Sequence, residues 1–173
     1  MFAAKGDVLP IAESLQKYLD FLLQCNRQIN LVSRRINRDQ LEVLVNETMR
    51  LAKVVSGSCI VDAGSGNGLL GIVISLSFPR RRVILLESIE KKAEFLRTAI
   101  SHLGLENAEV FRQRLEHFSF PSPFQQNALV SRGFPDLSRL AEPLLCRDVC
   151  EVVCITSLKK IEKLQIPLEN IRK

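Results

Sequence analysis

From Ile11 to Ile29 the apolar residues fall at Ile11, Leu15, Tyr18, Leu19, Leu22, Cys25 and Ile29, the three-and-four spacing of a helix with one buried face. Pro10 stands at its start, where a missing amide hydrogen costs nothing. A second helix is predicted after Asn37, whose side chain suits a cap with Gln40 reaching back, and it runs on through Leu41, Leu44, Val45, Thr48, Leu51 and Ala52. The pattern then changes. Short apolar runs at 59–62, 82–87, 107–111, 128–130 and 149–156 alternate with helical stretches at 69–78, 89–102 and 137–146. Runs apolar on both faces, separated by helices, predict an α/β fold with a doubly wound, mostly parallel sheet. We expect one domain, 1–173, with a helical N-terminal cap over 1–55 and the α/β core over 56–173. The 17 residues after Thr156 hold a helix, or a short helix and one strand, so the sheet is expected to lack its last strand or strands.

Composition narrows the class. Over 173 residues, 46% apolar against 25% charged is the balance of one globular domain. No apolar run nears the roughly 20 residues that span a bilayer, and the first ten residues show no signal-peptide pattern. A soluble, cytoplasmic protein with no membrane partner is expected. Five cysteines without a short-range framework fit reduced thiols. The net charge of +5 is spread over clusters at Arg34, Arg35 and Arg38, at Arg80 to Arg82, at Lys91 and Lys92, and at Lys159, Lys160 and Lys163. Such clusters suit a nucleic-acid partner, although each is also an ordinary solvated surface. One Tyr and no Trp argue against a base-stacking platform.

The candidate chemistry lies in Ile60-Val61-Asp62-Ala63-Gly64-Ser65-Gly66-Asn67-Gly68-Leu69-Leu70-Gly71. This reads as strand, tight turn and helix, with glycines that let the backbone approach a ligand and helix amides that face it. Gly66 to Gly71 matches the dinucleotide fingerprint, and Glu87 falls where an acid binds ribose hydroxyls. Two features turn the reading away from a nicotinamide or flavin enzyme. Asp62 at the end of the first strand suits an ammonium better than a pyrophosphate, and nothing supplies a separate catalytic domain. An amino-acid head, a ribose and a base together suit Asp62, the glycines Gly64 and Gly66, and Glu87, which describes S-adenosylmethionine. On that reading Leu115 and Glu116 edge the adenine. The plain alternative for Glu87 and Glu116 is a surface acid.

The same residues resemble a known family. Val61-Asp62-x-Gly64-x-Gly66-x-Gly68-Leu69-x-Gly71, then Leu85-Leu86-Glu87-Ser88, Lys91-Lys92-x-x-Phe95-Leu96, Arg114-Leu115-Glu116 and Val130-Ser131-Arg132-Gly133-Phe134 are similar to the RsmG/GidB family, as is Asn26 to Leu31 upstream. These are bacterial methyltransferases acting on guanine N7 of 16S ribosomal RNA. The resemblance, from about Tyr18 to about Phe134, implies a Rossmann-like S-adenosylmethionine-dependent methyltransferase. It implies a cofactor site at Gly64, Leu69, Glu87, Leu115, Glu116 and Arg132, with Arg132 as the catalytic candidate where cofactor and substrate meet. The implied partner is 16S ribosomal RNA or the small ribosomal subunit; a monomer without a metal is expected. Guanine N7 carries a lone pair and no proton, so its methylation demands alignment more than a strong base. The chain departs from the family pattern at Val43-Leu44, where Arg-His is typical, at Glu47-Thr48 for Asp-Ser, at Leu70 for a proline, at Asn127 for an acid and at Gly133 for an alanine.

Cys146, Cys150 and Cys154 recur every four residues, but the spacing fits no common zinc site and neither His102 nor His117 is near, so they read as buried small residues. Ser65, Ser88 and Ser131 have no partnered His and Asp arrangement visible in the sequence, so a hydrolase is not supported. The rival readings are an RNA-binding or ribosome-assembly factor without catalysis, and a methyltransferase with another substrate.

Overall fold

The computed structural model describes residues 10–121, 126–145 and 149–155. Strands β1 (Cys59–Ala63), β2 (Arg82–Leu86), β3 (Ala108–Phe111), β4 (Asn127–Arg132) and β5 (Glu151–Ile155) form one sheet in the order β3-β2-β1-β4-β5. All four pairings are parallel. Helices α1 (Ile11–Cys25) and α2 (Arg38–Val54) precede the sheet, and α3 (Leu69–Ser77), α4 (Glu90–Leu103) and α5 (Leu137–Leu145) connect it. The chain winds outward from β1 through β2 to β3, then returns to lay β4 on the other side of β1. This reversal opens a crevice at the carboxyl ends of β1 and β4, the place where doubly wound sheets hold ligands.

Strand residues alternate between two cores, as a period of two requires. Ile60, Val83, Leu85, Ala128 and Val130 face α1 to α4, whereas Cys59, Val61, Ala63, Ile84, Leu86 and Leu129 face Leu115 and the α5 residue Leu140. Every β1 residue is buried, which is why that strand reads as an unbroken apolar run save Asp62. Helix α1 packs on α3 and α4, and α2 packs on α3. Tyr18, Leu19 and Leu22 are fully buried in that layer, and Phe21 stacks on Phe95 with ring centroids 5.5 Å apart. The two N-terminal helices thus share one continuous core with the sheet.

Helix α2 starts with both halves of a capping box: Asn37 Oδ1 accepts from the Gln40 amide at 2.9 Å and Gln40 Oε1 accepts from the Asn37 amide at 3.0 Å. Helix α1 stops at Cys25, four residues before its apolar pattern does. Asn26 Oδ1 accepts from the amides of Leu31 and Val32 at 2.9 and 3.0 Å, and that local bonding draws the chain into a turn. One reading is corrected. Cys150 and Cys154 are exposed rather than buried, because among the described residues β5 has a strand neighbour on one side alone. Cys146, the lysines at 159, 160 and 163, and any strand after β5 lie outside the described residues.

Candidate functional site

Between β1 and α3 the backbone turns through Gly64, Gly66 and Gly68, all at positive φ (69°, 57° and 80°). Gly68 is the N-cap of α3 and has no side chain to offer its amides. Two neighbours take over. Asp62 Oδ2 accepts from the Gly71 amide at 3.0 Å, and Asn67 Oδ1 accepts from the Leu69 amide at 3.0 Å. Gly71 is required by this arrangement, since a Cβ there would lie 2.9 Å from Leu85 Cγ and Cδ2 and 3.0 Å from Asp62 Oδ2.

The turn is also fastened from outside. Tyr18 of α1 donates its hydroxyl hydrogen to the Asn67 carbonyl at 2.8 Å. Glu87, just past β2, accepts from the Gly66 amide through Oε2 at 2.9 Å and from the Ile89 amide through Oε1 at 2.8 Å. Burial pushes the Asp62 carboxyl up to about 7, with the Gly71 amide offsetting part of the rise and the nearby Glu87 adding to it. Burial, and then the charge of Asp62, also hold the Tyr18 hydroxyl well above its ordinary value.

A cavity of about 400 Å³ opens at the carboxyl ends of the strands, within the size range of small-molecule sites. Gly64 contributes from the end of β1, Ser88 from β2, Leu115 and Glu116 from the segment after β3, and Arg132 and Phe134 from β4. Leu115 to His117 form a single 3-10 turn in what the sequence presents as a loop. On the rim Arg139 pairs with Glu116 and, at 3.4 Å, with Asp136. The Glu116 carboxyl is held below its ordinary value, first by its own backbone amide and then by Arg139. Among the described residues no group of His, Cys, Asp and Glu is placed to hold a metal. None of the described helices is long and apolar enough to cross a membrane.

Four of the residues singled out in the sequence, Gly64, Leu115, Glu116 and Arg132, line this one cavity. The other four lie behind it, Asp62 in β1, Gly66 in the turn, Leu69 at the start of α3 and Glu87 just past β2. Asp62 is 1% exposed with one oxygen on Gly71, Gly66 donates to Glu87, and Leu69 is buried in the core with its amide on Asn67. Glu87 is 6% exposed, and its neighbours Leu86 and Ser88 reach the cavity. Sequence reasoning missed Tyr18, Thr48, Asp136 and Arg139. Tyr18 and Thr48 carried a signal, being polar groups on the buried stripes of α1 and α2; Asp136 and Arg139 carried none.

This sheet order, with the cavity at its point of reversal, is the Rossmann-like fold of S-adenosylmethionine-dependent methyltransferases. The tRNA (m1A58) methyltransferase TrmI from Aquifex aeolicus superimposes with a TM-score of 0.56 at 16% identity, over 80% of this chain and 56% of that one. An O-methyltransferase from Thermotoga maritima gives 0.56 at 16% identity, over 82% and 52%. Sequence comparison is narrower. The family model described as GidB, rRNA small subunit methyltransferase G, matches residues 11–164, and the chain belongs to that family. Proteins named ribosomal RNA small subunit methyltransferase G are 40% identical over 134 residues in Nitrosospira multiformis and 30% identical over 141 in Methylobacillus flagellatus. The matches cover 75% and 80% of this chain, and 61% and 68% of those relatives.

Proposed function

We propose that this chain transfers a methyl group from S-adenosylmethionine to N7 of a guanine in 16S ribosomal RNA. The observation that carries the reading is the cavity at the sheet reversal, where Gly64, Leu115, Glu116 and Arg132 converge in a chain of the GidB family. The residues present suit the cofactor. Gly66 has open space beside it, a Cβ there meeting nothing nearer than the Gly64 carbonyl at 3.7 Å, so backbone is left free for close approach. Arg132 also keeps a buried Nε donor with no hydrogen-bond partner among the described residues.

The bound cofactor would supply an electrophilic methyl on a sulfonium. Asp62 would attract the ammonium of its amino-acid end, and Gly64 with Gly66 would let backbone lie against it. Glu87 would accept hydrogen bonds from the ribose hydroxyls with the lone pairs that the Gly66 and Ile89 amides leave unused. Leu115 and Glu116 would border the adenine, and Leu69 would support the turn from the core. Arg132 would sit between cofactor and guanine. No residue needs to remove a proton, because N7 has none, so the contribution of the site is alignment and exclusion of water. The reading includes a cytoplasmic, monomeric protein whose partner is 16S ribosomal RNA or the small ribosomal subunit.

One observation favours a second reading, an RNA-binding factor without methyl transfer: Val43, where the family has Arg, is 56% exposed and offers no charge. Mapping N7-methylguanine in 16S RNA from cells with and without the gene tests the first reading. A methyl mark that disappears with the gene supports it. No difference, together with RNA binding that survives Glu87→Ala and Arg132→Ala, supports the second.

A further inference from the structure

Arg132 is held from a distance in sequence. Period two puts its side chain on the same sheet face as Ala128 and Val130, toward the N-terminal helices. There Nη2 lies 3.0 Å from Thr48 Oγ1 and 3.5 Å from the Leu44 carbonyl, and Nη1 lies 3.4 Å from the Glu47 carboxylate. Thr48 is fully buried and donates its own hydroxyl hydrogen to the Leu44 carbonyl at 2.8 Å. Its Oγ1 is thereby left with lone pairs alone, which a guanidinium can use. Glu47 is half exposed, so its attraction is screened by water and fixes little. Thr48 is therefore the group that sets the direction of the guanidinium. The remaining donor, Nε, is buried and has no partner among the described residues, in a side chain that lines the cavity.

We propose that Thr48 is a positioning residue: from helix α2 it holds Arg132 by Nη2 so that Nε is kept for an oxygen acceptor of the ligand in the cavity. The inference rests on the methyltransferase function proposed above. That acceptor has two sources with the same chemistry, the carboxylate of the cofactor and the carbonyl oxygen of the substrate guanine. A guanidinium left unheld could turn either terminal nitrogen toward the cavity, and alignment would suffer.

The test measures S-adenosylhomocysteine affinity, and kcat and KM for methylation of 16S RNA, in Thr48→Val, Thr48→Ser and Arg132→Lys. Valine keeps the shape and removes the acceptor, serine restores it, and lysine keeps the charge without a donor equivalent to Nε. Thr48→Val and Arg132→Lys are expected to lose about tenfold or more in one quantity, with Thr48→Ser within about threefold of wild type. A loss in S-adenosylhomocysteine affinity assigns the acceptor to the cofactor, and a loss in kcat at unchanged affinity assigns it to guanine. Wild-type affinity and turnover in folded Thr48→Val overturn the proposal, whatever happens to its melting temperature. Should Thr48→Val not fold, wild-type behaviour of Arg132→Lys overturns it equally. A wild-type chain that binds no S-adenosylhomocysteine instead fails the function itself and takes this inference with it.

Discussion

The Tyr18 hydroxyl donates to the Asn67 carbonyl at 2.8 Å, across 49 positions of sequence, and this bond ties helix α1 to the glycine turn. The carbonyl it satisfies lies between Gly66 and Gly68, two residues at positive φ, so the bond orients the peptide at the point of sharpest bending. Tyr18→Phe keeps the ring and leaves that carbonyl short of a donor. The expected cost is about 1–2 kcal/mol, read as a lower urea midpoint with an unchanged slope.

Gly71 and Gly104 separate two reasons for glycine. A Cβ at Gly71 would press on Leu85, which is fully buried, and on the Asp62 oxygen that Gly71 itself binds. Neither neighbour has room to yield. Gly71→Ala is expected to destabilise by about 2 kcal/mol despite alanine's better helix propensity. Gly104 ends α4 at φ 63° with nothing within 4 Å of a Cβ, so Gly104→Ala should cost about 1 kcal/mol of backbone strain alone. Denaturant titration of the two variants checks the order.

Much of this arrangement is legible in the sequence because it is local. The apolar spacing of α1 and α2, the Asn37 and Gln40 box, the four-glycine turn and the acid at the end of β2 each depend on neighbours a few positions away. The end of α1 is not legible, since whether Asn26 turns the chain depends on amides that only the folded loop presents. The Thr48 to Arg132 contact is hidden for a different reason: its partners are 84 positions apart and meet through the crossing from β3 to β4. Arg139 escaped notice in the same way, as the α5 end of a pair with Glu116.

Asp62 gives a pH dependence with a definite sign. Its carboxyl rises from 3.8 to about 7 on folding because the site is buried. Below about pH 4 both states hold the proton. Between about 4 and 7 the unfolded chain ionises while the folded chain does not, so stability falls as pH rises, by an amount on the order of 4 kcal/mol, and above about 7 the loss is complete. Asp62→Asn keeps an acceptor for Gly71 and should remove this component. Unfolding free energies at pH 5 and pH 7.5 should therefore fall less in the variant than in the wild type.

Basic residues should make RNA binding dependent on salt. Affinity for a 16S RNA fragment is expected to drop steeply between about 50 and 200 mM salt, as release of counterions from phosphates requires. A filter-binding series across that range checks it. A flat series would favour a small-molecule or protein substrate.

The central claim is that the cavity lined by Gly64, Leu115, Glu116 and Arg132 takes S-adenosylmethionine. Calorimetric titration of the folded chain with S-adenosylhomocysteine tests it most directly. The account predicts saturable binding of one molecule per chain, and a chain that is folded by circular dichroism yet binds none would contradict it.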